Sequence, residues 1–147
     1  MRRRVVGCSI IASLLAAGPV AGQVSLMHNA TPAAVTEALK ATFVPQGFQV
    51  GKADDKGALF TLDKGDMTQN TSTGMQVFHM VVEIQARYKH KSEGLEVSLK
   101  EEVVATTNTQ EVRNPVQTRT ELDNLQTLLD GVRTDLEAKA KRDSSGH

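Results

Sequence analysis

The sequence contains no tryptophan, one tyrosine (Tyr88) and one cysteine (Cys8). Without tryptophan, it lacks the aromatic platforms on which sugars or nucleobases stack. A single cysteine makes no intramolecular disulfide and no thiolate metal cluster, so a disulfide-stapled scaffold is excluded. Charge of one sign is missing too: 17 Lys and Arg stand against 17 Asp and Glu. No basic excess exists to hold a phosphate backbone or an anionic membrane surface. Long apolar runs are also absent. The run Val5–Ala17 is apolar or small throughout, but it falls short of the roughly 20 residues of a spanning helix. Gly18-Pro19 then breaks it.

What is there begins with a recognisable order. Three arginines (Arg2, Arg3, Arg4) precede the apolar run, and Val20-Ala21-Gly22 follows it. A basic start, a short apolar stretch and small residues at the cut make a secretory signal peptide over residues 1–22, with cleavage between Gly22 and Gln23. The tetrapeptide VVGC looks like the box before a lipid-modified cysteine. Only Val5, Val6 and Gly7 separate Cys8 from the arginines, whereas a lipidated cysteine follows the apolar region. Cys8 is therefore read as an apolar residue of the signal. Cleavage leaves 125 residues, one domain by length. They carry 14 basic against 17 acidic side chains and no cysteine.

Residues 23–30 read as a short polar leader, 31–141 as a single domain and 142–147 as a frayed tail. TPAAVTEALKATFVPQG predicts a helix, capped by Thr31, with Pro32 in the first turn and Pro45 and Gly47 stopping it. Val35, Ala38, Leu39, Thr42 and Phe43 form its buried stripe. GFQV and ALFTLD alternate around GKADDKG and predict a hairpin, with Phe48, Val50, Ala58, Phe60 and Leu62 inward. KGDMTQNTSTG (Lys64–Gly74) is polar and reads as a loop. The alternation of MQVFHMVVEIQARYK then predicts a long strand. Phe78, Met80, Val82, Ile84, Ala86 and Tyr88 line one face; His79, Glu83, Gln85 and Arg87 line the other.

LEVSLKEEVVATT returns after HKSEG with Leu95, Val97 and Leu99 inward. Glu101 on that face, and the adjacent Val103 and Val104, predict either a bulge near Lys100–Glu102 or the end of the inner face. NTQEVRNPVQ is a second polar connection. TRTELDNLQTLLDGVRTDLEAKAKR predicts the last helix. Thr118 and Glu121 have capping-box spacing, and Leu122, Leu125, Leu129, Val132 and Leu136 form a stripe. Gly131 inside it either allows close approach to the sheet or is simply tolerated.

The expected fold is α+β: a four-stranded antiparallel sheet in α-β-β-β-β-α order, with the N- and C-terminal helices on one face. This order, with QGFQV…GALFTLD after the first helix, resembles the helix-grip modules of small bacterial envelope proteins and lipoproteins over Thr31 to Lys141. The resemblance implies location and fold rather than an activity. Lipoprotein members carry an anchor cysteine after the apolar region, and this chain has none there.

Chemistry-bearing residues are few. His28, His79, His90 and His147 share no helix-turn spacing. His79 shares a strand face with Glu83, the pattern of an oriented general base and equally of a polar sheet surface. Asp54, Asp55, Asp63 and Asp66 stand near glycines, which is turn chemistry without the calcium-loop pattern. The Lys64–Gly74 segment lacks the G-K-[ST] ending of a phosphate loop. Asn29 and Asn70 fit the N-glycosylation sequon, which matters only in a eukaryotic source. No cofactor, catalytic residue or metal ligand is assigned.

In antiparallel order the two polar connections leave the same end of the sheet. Loops over a rigid scaffold often carry binding. The candidate interaction residues are therefore Asp66, Thr68, Gln69, Asn70, Asn108, Gln110, Arg113 and Asn114. The expected function is an exported, periplasmic or secreted, non-catalytic domain that binds an envelope or secreted protein and no nucleic acid. The alternative is a carrier with an apolar ligand lined by Phe78, Met80 and Ile84. An enzyme would need His79 and Glu83 in a cleft. Intact-mass analysis should find an exported chain beginning at Gln23 without an acyl group. An acylated Cys8 amino terminus would overturn the localisation.

Overall fold

The computed structural model describes residues 23–116 and 118–146. The expected signal segment, with Cys8 and Gly22, lies outside them, as do Gln117 and His147. Among the described residues no helix is long and apolar enough to cross a membrane.

The sheet has six antiparallel strands rather than four. They are β1 (Gln23–Met27), β2 (Gln49–Asp54), β3 (Gly57–Thr71), β4 (Gly74–Lys91), β5 (Gly94–Thr106) and β6 (Glu111–Pro115), with helices α1 (Pro32–Phe43) and α2 (Arg119–Ser145). The order across the sheet is β1-β5-β4-β3-β2, and β6 also pairs with β5. β1 takes Leu95–Leu99 of β5 and β6 takes Glu102–Thr106, so the two short strands lie end to end along one edge.

Both added strands correct the sequence reading. The supposed leader is β1: Ser25 and Met27 point inward and are buried opposite Val97 and Leu95. The alternation is there, but a serine at an inner position weakens the signal. β6 falls in the expected polar connection because an exposed edge strand has no buried face to pattern. The expected Lys64–Gly74 loop is likewise strand. β3 and β4 pair from Gly57↔Arg87 to Thr71↔Gly74, leaving only Ser72 and Thr73 as the turn. The tail is helical through Ser145.

One face of the sheet is buried beneath both helices. Val35, Leu39 and Phe43 of α1, with Leu125, Leu129 and Val132 of α2, join Phe60, Ile84, Ala86, Leu95, Val97 and Leu99 in one cluster. The rings of Phe48 and Phe60 pack against Phe43 at centroid distances of 5.4 and 5.0 Å. Helix α1 begins as expected: the Thr31 hydroxyl accepts from the Ala34 amide at 3.2 Å, and Pro32 opens the helix. It ends in a 3-10 turn, Val44–Gln46, closed by Gly47 at φ +97°. Thr36 is buried and shares a 2.7 Å hydrogen bond with the Tyr88 hydroxyl, fixing the helix to β4. In α2 the capping box is not completed: the Thr118 hydroxyl donates to the Glu121 carboxylate rather than accepting from the backbone.

No bulge occurs near Lys100–Glu102, where the β4–β5 register is continuous. The neighbour of β5 changes there instead, from β1 to β6. Bulges fall between Asp63 and Gly65 of β3 and between Val50 and Ala53 of β2.

Two glycines make opposite predictions. At Gly94 (φ +154°) an added Cβ would lie 2.5 Å from the Met27 carbonyl oxygen, in the backbone of β1. Gly94→Ala should lower stability by about 2 kcal/mol or more, through strain and loosening of β1. At Gly131 an added Cβ meets nothing within 4 Å, so this glycine serves no close approach. Gly131→Ala should raise stability by about 1 kcal/mol. Urea unfolding of both variants is the check, and equal midpoints would refute both.

Candidate functional site

The end of the sheet that carries the candidate interaction residues is built on β4. His79 is opposite Asp66 on one side and Thr106 on the other. Beyond that row β5 has ended, and Met67–Phe78 continue as a two-stranded ribbon. The β5–β6 turn lies at the same end, closed by the Thr107 hydroxyl, which accepts from the Gln110 amide at 3.1 Å.

The bulge at Lys64 sets which side chains face where. Before it, the even residues of β3 (Ala58, Phe60, Leu62) share the inner face with Ala86, Ile84 and Val82. After it the phase flips: Met67 pairs with Phe78 on the inner face and Asp66 with His79 on the outer face. Gly65 takes φ +77°, and its amide donates to Asp63 Oδ1 at 2.7 Å. Asp63 and Asp66 thus both flank His79. Its Nδ1 lies 2.8 Å from Asp66 Oδ1 and its Nε2 lies 3.2 Å from Asp63 Oδ2. The bond to Asp66, then the charge of Asp63, raises the His79 pKa above its ordinary 6.5.

This arrangement differs from the expected His79–Glu83 pair. Glu83 instead accepts from Arg113 Nη1 at 2.7 Å. Both ring nitrogens of His79 face carboxylates, so neither is presented to a substrate in this arrangement. Among the described residues no group of three or more His, Cys, Asp or Glu has metal-binding geometry. Asp63, Asp66 and His79 make ion pairs on an exposed sheet face.

A second network ties β6 to the sheet. Glu83 and Glu102 are directly opposite on β4 and β5, a repulsive pairing by itself. Arg113 lies at 2.7 Å from Glu83 and 3.4 Å from Glu102, while its Nε meets Glu111 at 2.7 Å. Lys100 joins Glu102 at 2.6 Å. Hydrogen bonding from Lys100 first, then the neighbouring Arg113, holds the Glu102 carboxyl below the usual carboxylate range. Such contacts are screened in water and position β6 more than they stabilise it.

Of the candidate interaction residues, Asp66, Thr68, Gln69 and Asn70 lie on β3, and Arg113 and Asn114 on β6. Only Asn108 and Gln110 lie in a turn. They share one end of the molecule, but as strand surface rather than as two loops. Asp66 and Arg113 are already engaged in ion pairs.

The residues offered as ligand-lining separate. Ile84 is buried in the core, whereas Phe78 and Met80 are half-buried further along β4. A cleft of about 230 Å³ at the helix ends is lined by Ile84 with Phe43, Phe48, Leu125, Leu128 and Glu101, without Phe78 or Met80. It is smaller than the roughly 300–1,000 Å³ of ordinary ligand pockets.

Apolar residues of the ribbon were missed within a segment read as loop or strand end. Met67 is 53 % exposed, Met75 74 % and Val77 55 %. Met67 faces inward; Met75 and Val77, opposite Asn70 and Thr68, face outward. A free two-stranded ribbon is marginal in water, and this one carries exposed apolar side chains on both faces.

The His79 bridge makes a pH prediction. Its folded pKa is raised, so the bridge contributes fully below the unfolded value near 6.5 and is lost as pH rises through the folded value. NMR titration should give His79 a pKa above 6.5, and Asp66→Asn should bring it back toward 6.5. Amide protection of Met67–Phe78 should be greater below that transition than above it. An unshifted His79 in the unaltered protein would remove the bridge. The chain matches no protein-family model, no curated protein and no solved structure, so its function is read from its own geometry.

Proposed function

We propose that this chain is an exported, non-catalytic binding domain of the cell envelope, and that a partner protein docks on the ribbon end of its sheet. One observation carries this reading. The apolar inner face of the sheet runs on past the residues that the helices bury. Burial is 3 % exposure at Ile84, but Val82, Met80 and Phe78 are only half-buried, and Met67 beyond them is exposed. Val103 and Ala105 of β5 and Val112 of β6 continue the same face sideways. A partly exposed apolar face that runs out to exposed apolar residues is the kind of surface found at interaction sites.

Export rests on the arginine-led apolar segment and the small residues before Gln23. An envelope partner follows from that location. The carrier alternative finds less support, because the cleft that Ile84 lines does not include Phe78 or Met80.

Photo-crosslinking in the native host tests the reading. A crosslinking residue in place of Met67 or Val77 should form an adduct with one defined protein. The same residue in place of Lys89, at the other end of β4, should not. Equal labelling from all three positions, or no adduct from the ribbon, would refute the ribbon end as the interface.

A further inference from the structure

We propose that the inner sheet face between the helix layer and the ribbon tip seats one amphipathic α-helix of the partner. Its apolar stripe lies on Val82, Met80, Val103 and Val112, and a lysine or arginine lies at its end nearest Glu101 and Glu121. This rests on the ribbon end being the interface.

The seat has the dimensions of a helix. Four strands, β3 to β6, span about 14 Å at their ordinary spacing of nearly 5 Å. A helix with its side chains is about 10–12 Å across. Along the strands, the distance from the Leu62–Val82 row to the Met67–Phe78 row is five residues of β3 and four of β4. That is about 14–17 Å, or close to three helical turns. The level is also that of a helix layer. The Phe43 end of α1 and the Leu125 turn of α2 meet Ile84 and Glu101 at the border of the seat. The same sheet face already takes two helices, and an apolar sheet face is ordinarily completed by a helix or another sheet.

The charge follows from Glu101. It occupies an inner position, opposite Ile84, where the rest of the face is apolar. It lines the cleft at the helix ends together with Glu121. Burial first, then the charge of Glu121, pushes the Glu101 carboxyl above its ordinary range, and no cation among the described residues offsets it. A cationic side chain delivered beside these two carboxylates would satisfy both. Anionic or purely apolar helices would leave Glu101 desolvated and unpaired. The pattern is helix-in-groove recognition with one electrostatic anchor.

The test uses two designed peptides of about 14 residues with leucines at helical spacing, one filled with lysine and the other with glutamate. Side-chain methyl signals of Met80, Val82, Val103 and Val112 report the seat. The Leu–Lys peptide should shift them and bind about tenfold tighter than the Leu–Glu peptide. Glu101→Gln combined with Glu121→Gln should remove most of that ratio, and Met80→Asp should abolish binding. Circular dichroism and urea unfolding establish that each variant is folded. Should Met80→Asp not fold, Val112→Asp on the edge strand replaces it.

Shifts confined to other methyls, or a peptide ratio unchanged in the double Gln variant, would overturn the proposal. Ribbon crosslinks without methyl shifts would overturn the helix seat and leave the binding domain standing. Absence of both would overturn the two together.

Discussion

The antiparallel ladder between β3 and β4 supports the rest of this molecule. It runs from Gly57↔Arg87 to Thr71↔Gly74, and β4 alone has 18 residues. At ordinary rise β4 is about 60 Å long, whereas the 12 residues of α1 reach only about 18 Å and the 27 of α2 about 40 Å. The helices therefore cannot cover the full length of the strands they pack against. One half of the ladder becomes the floor of a core; the other half becomes surface. The core lies where β1, β5 and both helices meet around Leu39, Phe60 and Val97, and the end proposed to bind lies where they stop. The unequal lengths make both.

The Lys64 bulge decides what that surface is made of. Strict alternation from Leu62 would put Lys64 and Asp66 on the inner face and Met67 on the outer. One extra residue, with Gly65 at φ +77°, reverses this. Met67 then joins Phe78 and Met80, extending the apolar face, while Asp63 and Asp66 turn outward to hold His79. The same residue that keeps the ribbon apolar inside thus creates its anchor outside. Between β4 and β5, Glu83 and Glu102 would repel across the ladder without Arg113, so the attachment of the short strand β6 and the neutralisation of that pair are one interaction.

What was legible in the sequence divides along burial. Both helices, the β2–β3 hairpin and the inner faces of β4 and β5 show in the periodicity because one side of each is apolar and the other is not. Thr31 and Pro32 mark a helix start that the structure has. The ribbon half of β3 and the edge strand β6 carry polar residues in strand conformation, since neither has a fully buried face. Composition there reads as loop. β1 was hidden for a different reason: five residues are too few for alternation to stand out, and Ser25 occupies an inner position. The break at Glu101 was visible, but its cause was not. It marks the border of the helix cover rather than a bulge. Topology alone placed the candidate residues together at one end of the sheet, as they are, but assigned them to loops when most lie on strands. His79 and Glu83 share a face as expected. Which carboxylates reach the imidazole depended on the bulge phase, and sequence periodicity does not carry that.

The two faces of the ribbon end offer a partner different things. The outer face is largely polar, the Val81–Val104 pair apart, and its charges are largely satisfied within the chain: His79 by Asp63 and Asp66, Arg113 by three glutamates, and Glu102 also by Lys100. A partner that docked there would have to break these pairs or bury them, and each desolvated pair would give back less than it cost. The inner face offers the reverse. Its methyl and phenyl groups are already half removed from water by their neighbours, and its one charged group, Glu101, lacks a counter-ion among the described residues. Covering it removes apolar surface from water at roughly 25 cal/mol per Å² and adds an ion pair that the free domain does not have. Met75 and Val77 near the tip are outward, apolar and exposed, and on the proposed reading contact begins with them. A ribbon held only by its own ladder and the His79 bridge is the part of the sheet most able to bend toward an arriving helix. On the proposed reading the inner face supplies the affinity, and the exposed tip supplies the first apolar contact.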